Sequence, residues 1–248
     1  MANYRHAATR PATSKASVSS MTLEHNYKSV TANIRNAVQE FGRVEGDVTL
    51  LGVSKFQPAD AVRRLYELGL RDFGENFAQE LAAKATELSD LQGIRWHYIG
   101  RLQSNKIKLI VRHAAVIQSV SELSHAQLIA KEAKSFRKEP FPIYIAVNAA
   151  AETSKGGVLP EDLPGFTARL SAECPGLHLM GIMAIPPASY SDPTGALIVP
   201  DLYKNLHEIA EEIGEGQLSL GMSDDLRTAI AAGSNMVRIG TRLFGPRP

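Results

Sequence analysis

From Thr22 to about Gly42 apolar residues recur every three or four positions: Leu23, Tyr27, Val30, Ile34, Val38 and Phe41. That spacing predicts an amphipathic helix with one buried stripe, stopped by Gly42. Beyond it the period changes repeatedly. Short β-branched or aromatic runs predict strands at 48–54, 72–74, 94–99, 116–118, 143–147, 177–183, 218–220 and 237–239. Helical patterns fill 59–68, 77–88, 102–111, 123–136, 163–174, 202–213 and 225–232. The segment 186–200 is rich in Pro, Ser, Asp and Gly and reads as a long loop leaving the sixth strand.

Eight strands separated by helices imply a parallel sheet covered on both faces. Eight is also the number that closes a barrel, with function at the C-terminal ends of the strands. An open doubly wound sheet competes, but it usually carries a glycine fingerprint after its first strand. Here that place reads Gly52-Val53-Ser54-Lys55. The expected fold is therefore α/β, a single (β/α)8 TIM-type barrel over residues 22–248 with an extra N-terminal helix.

Composition adds limits. The chain has 248 residues with 27 basic and 26 acidic side chains, so its net charge of +1 gives no electrostatic case for nucleic acid or an anionic membrane. The lone Cys174 excludes an internal disulfide framework and suits a reducing, cytoplasmic setting. No apolar run is long enough to span a bilayer. Residues 1–21 carry Arg5, Arg10 and Lys15 among Ala, Ser and Thr with no acidic residue, and read as a disordered extension. That composition also suits an organelle import segment, or a tail ahead of a second start at Met21.

Candidate chemistry gathers where barrel mouths lie. Lys55 follows an apolar strand directly; it is either a reactive amine or a lysine snorkelling to solvent. A free lysine near pKa 10.4 would need that value lowered by about 2.4, at about 3 kcal/mol, for a tenth of it to be neutral at pH 7. Gly221-Met222-Ser223 closes the seventh strand and Arg238-Ile239-Gly240-Thr241 the eighth, and barrels often bind phosphate between those two loops. Ser223 reads equally as the N-cap of a helix over 224–232 that Gly233 ends. Asp224 and Asp225 would repel a phosphate they faced, so they are expected to point away. Asn76, after the second strand, is a hydrogen-bond donor or a turn former; His97, inside the third, is a ligand or a satisfied core histidine. No His or Cys spacing supports a metal site.

These segments together resemble the pyridoxal-phosphate homeostasis proteins, stand-alone relatives of the alanine racemase N-terminal barrel. The resemblance runs in order through Val53-Ser54-Lys55, Phe73-Gly74-Glu75-Asn76, Trp96-His97-Tyr98-Ile99-Gly100, Leu102-Gln103-Ser104-Asn105-Lys106, Met183-Ala184-Ile185-Pro186, Gly221-Met222-Ser223-Asp224-Asp225 and Val237-Arg238-Ile239-Gly240-Thr241. It implies that Lys55 holds pyridoxal 5'-phosphate covalently as an internal aldimine. Ser223, Gly240 and Thr241 would bind the phosphate, with Met222 and His97 also at the site. Arg238 would face the pyridine nitrogen and Asn76 would lie beside the ring. The resemblance further implies a carrier that buffers or delivers the cofactor, with apo-forms of PLP enzymes as partners and no turnover of its own. Two departures from the family pattern stand out. Asn148-Ala149-Ala150-Ala151, ahead of Lys155-Gly156-Gly157, lacks the usual hydroxyl, and Arg101 stands where relatives often carry Pro or His.

Two enzyme readings compete with a carrier. A PLP-dependent racemase needs proton-transfer groups on both faces of the substrate α-carbon, and racemases draw the second from a further β domain. This sequence stops soon after its eighth strand, which favours the carrier and a monomer. A barrel aldolase would explain Lys55 and the phosphate loops, but not an arginine aimed at a ring.

Overall fold

The structure is a computed structural model that describes residues 20–152, 156–186 and 199–246. The extension before residue 20, Lys155 and most of the expected 186–200 loop lie outside the described residues.

Helix α1 (Ser20–Glu40) precedes eight parallel strands that close on themselves in sequence order. They are β1 (Thr49–Val53), β2 (Asp72–Glu75), β3 (Arg95–Tyr98), β4 (Val116–Val120), β5 (Phe141–Val147), β6 (Leu177–Ala184), β7 (Gln217–Ser219) and β8 (Met236–Ile239). Between them run α2 (Ala59–Glu67), α3 (Ala78–Glu87), α4 (Ile107–His113), α5 (Leu123–Ala133), α6 (Leu163–Glu173), α7 (Asp201–Glu211) and α8 (Leu226–Ala231), with the short α9 (Thr241–Phe244) after β8. Closure is made by β1 against β8, where Leu51 pairs with Arg238 and Gly52 with Ile239.

Every expected strand and helix is present, and only their ends moved. The first turn of the helix expected over 102–111 is a 3-10 turn at Ser104–Lys106, and α5 stops three residues before Phe136. The α9 turn was not anticipated, because four residues carry too little periodicity to see. Gly42 at φ +65° follows α1, and the Arg43 N–H returns to the Val38 carbonyl as a C-terminal cap.

Apolar burial is concentrated between strands and helices. Phe73, Trp96, Ile117, Leu218, Val237 and Ile239 face that layer with Val62, Leu65, Leu81, Ile110 and Ile129. Helix α1 joins it through Leu23, Val30, Ile34 and Val38, packing on α2, α8 and α9. Alternate positions of the same strands look the other way, because side chains on a strand have a period of two. Those positions hold Asp72, His97, Gln118, Ser219 and Arg238, all buried. The barrel lumen therefore carries a set of polar groups beside apolar Leu51 and Met236.

Candidate functional site

The site begins with the turn after β1. The Gln57 N–H donates to the Ser54 carbonyl, and Phe56 sits at φ +63°, a costly conformation for a non-glycine residue. Three contacts, the first two buried, hold that turn. The Ser54 hydroxyl donates to Glu75 Oε1 (2.6 Å), Lys84 Nζ donates to the Ser54 carbonyl (2.6 Å), and the Phe56 N–H donates to Glu80 Oε1 (2.6 Å). Lys84 also pairs with Glu75 and Glu80 at 2.6 and 2.8 Å. Burial pushes the Glu75 carboxyl above the usual glutamate range, with Lys84 and Ser54 opposing that shift. Nothing in the sequence singled out Lys84. Glu80 and Lys84 look like any surface i,i+4 pair until α3 turns them inward.

Lys55, on this turn, lines a cavity of about 510 Å³ with Val53, Asn76, Ile99, Met183, Ile185, Met222, Ser223, Asp224, Arg238, Gly240, Thr241 and Arg242. Seven of the eight residues expected at a site thus meet on one wall system at the C-terminal ends of the strands. The eighth does not. His97 is buried in the lumen, with Nε2 3.0 Å from Asp72 Oδ1 and Nδ1 2.8 Å from the Gln118 amide nitrogen. Both ring nitrogens are partnered there, so the structure places His97 in the lumen and not on the cavity wall, the satisfied core histidine that the sequence also allowed.

Arg238 dominates the electrostatics. NH1 donates to the Ser219 carbonyl (2.6 Å) and hydroxyl (2.9 Å), and NH2 to the Ala184 carbonyl (2.7 Å). Those bonds use three of its five N–H groups. Burial pulls the guanidinium down to about 10, opposed by Asp225 and Tyr203, so it stays protonated at neutral pH. No carboxylate lies within ion-pair distance among the described residues. It is a buried cation with donors to spare on a cavity wall.

The turns after β7 and β8 complete the wall. Gly221 at φ +100° lets the chain pass Ala229, whose Cβ would lie 2.5 Å from an added methyl group. Helix α8 starts at Leu226 with Asp225 in the cap position, so the expected capping role of Ser223 is corrected and its hydroxyl is not used as a cap. Asp225 instead accepts from the Met222 N–H (2.6 Å) and the Tyr203 hydroxyl (2.5 Å), turned away from the cavity as expected. Asp224 does line the cavity, against expectation, with Arg242 3.3 Å away. In α9 the Leu243 and Phe244 N–H groups return to the Gly240 carbonyl. The Thr241 and Arg242 N–H groups have no partner among the described residues.

Asn76 Oδ1 is buried without a hydrogen-bond partner among the described residues, and Gly100 packs on the Asn76 backbone so closely that a Cβ would come 2.0 Å from its carbonyl oxygen. Arg101 is exposed on the rim of a neighbouring cavity of about 340 Å³ that shares Asn76, Ile99, Met183 and Ile185. Where the family's hydroxyl is missing, Asn148 closes its own loop: its amide nitrogen donates to the Glu152 carbonyl (3.0 Å) and its amide oxygen accepts the Glu152 N–H (3.1 Å).

Below the cavity, Asp72 holds Arg95 as well as His97. Burial works to raise the Asp72 pKa, but hydrogen bonds from His97 and Arg95 outweigh it and keep it below the usual aspartate range. A carboxyl more acidic in the folded than in the unfolded chain stabilises the fold while ionised. That contribution is complete above about pH 4 and fades as pH falls through the folded-state value. In urea titrations the stability gap between wild type and Asp72→Asn should narrow below about pH 4; a gap independent of pH would contradict this.

A closed eight-stranded barrel with a lysine after β1 and a buried arginine in β8 defines the barrel class of the alanine racemase N-terminal domain, whose family matches residues 25–248. Within that class the chain belongs to the pyridoxal phosphate homeostasis protein family. It is 43% identical over 229 residues to the pyridoxal phosphate homeostasis protein of Pseudomonas aeruginosa, covering 91% of this chain and 96% of that one. Identity to the Escherichia coli K12 protein of the same name is 36%, covering 91% and 97%. Among solved structures it is similar to PipY of Synechococcus elongatus with PLP bound: TM-score 0.73, 30% identity, 90% of this chain and 100% of that one. Alanine racemase from Corynebacterium glutamicum shares the fold at TM-score 0.62 and 15% identity, with this chain spanning 61% of its length. No helix among the described residues is long and apolar enough to cross a membrane.

Proposed function

We propose that this chain binds pyridoxal 5'-phosphate in the 510 Å³ cavity, joined covalently to Lys55, and stores or delivers the cofactor without turning over a substrate. The carrying observation is the combination on one wall of an amine, two hydroxyls and a buried guanidinium with unused donors: Lys55, Ser223, Thr241 and Arg238. The residues fit the group. Among the described residues the Asn76 amide oxygen and the Thr241 and Arg242 N–H groups have no partner and could meet polar atoms of the group, and a buried cation with no carboxylate in ion-pair distance favours an anion nearby. The family membership and the PLP bound to PipY support the same reading.

Pyridoxal phosphate, when bound, would supply an aldehyde, and Lys55 is the amine that would hold it. The chain's residues then divide the work. Ser223, Thr241 and the α9 N–H groups grip the phosphate end, with Gly240 between them. Met222 and Asn76 wall the ring. Arg238 keeps its own proton and offers donors, so a ring nitrogen set before it is held unprotonated and withdraws electrons poorly. That supports holding and exchanging an aldehyde over stabilising carbanions. Among the described residues no tyrosine, histidine or cysteine lines this cavity to act as a second proton-transfer group, which also favours a carrier over a racemase.

The test is an absorbance spectrum before and after borohydride, with mass mapping of the modified peptide. Purified protein should be yellow, borohydride should reduce the C=N link to a secondary amine, and one equivalent should map to Lys55. Lys55→Ala should lose the adduct. Label on another lysine overturns the assignment, and formation of D-alanine from L-alanine overturns the carrier reading.

A further inference from the structure

The lumen below the cavity contains a continuous line of side-chain hydrogen bonds that the functional reading leaves unused. Arg238 NH1 donates to the Ser219 hydroxyl at 2.9 Å, and Ser219 Oγ lies 2.8 Å from Gln118 Oε1. The Gln118 amide nitrogen lies 2.8 Å from His97 Nδ1, and His97 Nε2 lies 3.0 Å from Asp72 Oδ1, which Arg95 also holds. Strands β4 and β7 are not neighbours in the closed order, so the Gln118–Ser219 bond crosses the barrel interior. Gln118 and Ser219 are both 0% exposed, and neither lines the cavity.

The chemistry of the groups sets one direction along this line. An arginine only donates, so Ser219 Oγ accepts from it and spends its own hydrogen on the Gln118 oxygen. The Gln118 nitrogen then donates to His97 Nδ1, which leaves the imidazole proton on Nε2, facing a carboxylate that only accepts. Every link points from the cation at the cavity to the anion at the opposite end. The reverse amide orientation would require protons on both His97 nitrogens.

We propose that Gln118 and Ser219 are positioning residues for Arg238. Locked by His97 and Asp72, they commit one edge of the guanidinium to the lumen and leave its remaining donors turned to the cavity. Without the lock, the Ser219 hydroxyl is free to rotate, so NH1 loses a fixed acceptor and Arg238 is held by the Ser219 and Ala184 carbonyls alone. The proposal rests on the reading that the cofactor ring nitrogen meets Arg238, but its first test does not.

In cofactor-free wild type, ¹⁵N NMR should show His97 with one protonated and one bare ring nitrogen, the proton on Nε2. An Nδ1 proton, or protons on both, overturns the proposal. Gln118→Leu should shift or broaden the Arg238 Nε–H resonance, and an unchanged signal overturns it. In loaded protein, Gln118→Leu should weaken PLP retention about tenfold, as expected for one misaligned charge-assisted bond. Gln118→Glu, which keeps an acceptor for Ser219, should recover that loss. In an Arg238→Leu background Gln118→Leu should cost nothing further, and an equal tenfold loss there would mark Gln118 as merely structural and sink the idea. Should wild type take no borohydride label at Lys55, the functional reading falls, while the two NMR measurements still decide this one.

Discussion

Changing both Ser223 and Thr241 to alanine should weaken PLP retention by about two to four powers of ten. Each hydroxyl would give the phosphate a charge-assisted hydrogen bond, and such bonds contribute about 1.5–3 kcal/mol each. The loss should be close to the sum of the single variants only if the two hydroxyls act independently, and sharing one phosphate makes some coupling expected. Neither side chain has another duty that the substitution would disturb. Ser223 does not cap α8, and Thr241 is exposed at the start of α9. Folding should therefore be preserved, with the effect confined to the off-rate of the cofactor measured after borohydride is omitted. Unchanged retention in the double variant would remove the phosphate from the β7 and β8 turns.

The second large effect lies behind Lys55. Lys84→Met should lower the free energy of unfolding at pH 7 by about 3–5 kcal/mol, the usual cost of leaving a buried charge without its partner. Glu75 is 0% exposed and would keep only the Ser54 hydroxyl, with its second oxygen already without a partner. Adding Glu75→Gln should recover much of the loss, because a neutral amide no longer needs the ammonium. Both variants should load PLP poorly, since Lys84 also holds the Ser54 carbonyl at the foot of the Lys55 turn. Urea unfolding with tryptophan fluorescence reads the first effect, through Trp96 packed on Phe73. A loss under about 1 kcal/mol would mean that Glu75 finds water or a proton without strain.

The two regions differ in how visible they were. The turn residues Lys55, Ser223, Gly240 and Thr241 stand directly after apolar runs, and in a parallel barrel that position alone places them at one end. Lys84 and Glu80 carry no such mark. A helix pattern shows which face is apolar, but a lysine stem can lie in that face while its amine reaches a carboxylate on a strand. The lumen chain is an intermediate case. Polar residues set among the apolar positions of several strands, at His97, Gln118, Ser219 and Arg238, are a readable irregularity. Its meaning depends on closure, because only a barrel brings β4 and β7 within hydrogen-bond reach across an interior.

Local order along the chain settled the architecture. Eight short apolar runs alternating with amphipathic helices admit few topologies, because parallel strands need crossovers and right-handed crossovers wind one way. The same order set which residues lie at the mouth. Only the tertiary structure decided which polar groups face one another: that His97 faces Asp72 and Gln118 in the lumen, that Asp225 turns back to Met222 and Tyr203, and that Arg238 is buried with no carboxylate in ion-pair distance among the described residues. Most of these pairings join residues far apart in the sequence: Ser54 and Glu75 are 21 positions apart, Gln118 and Ser219 101. Periodicity reports which side of an element is buried; it is blind to what waits on the other side of the space that burial encloses.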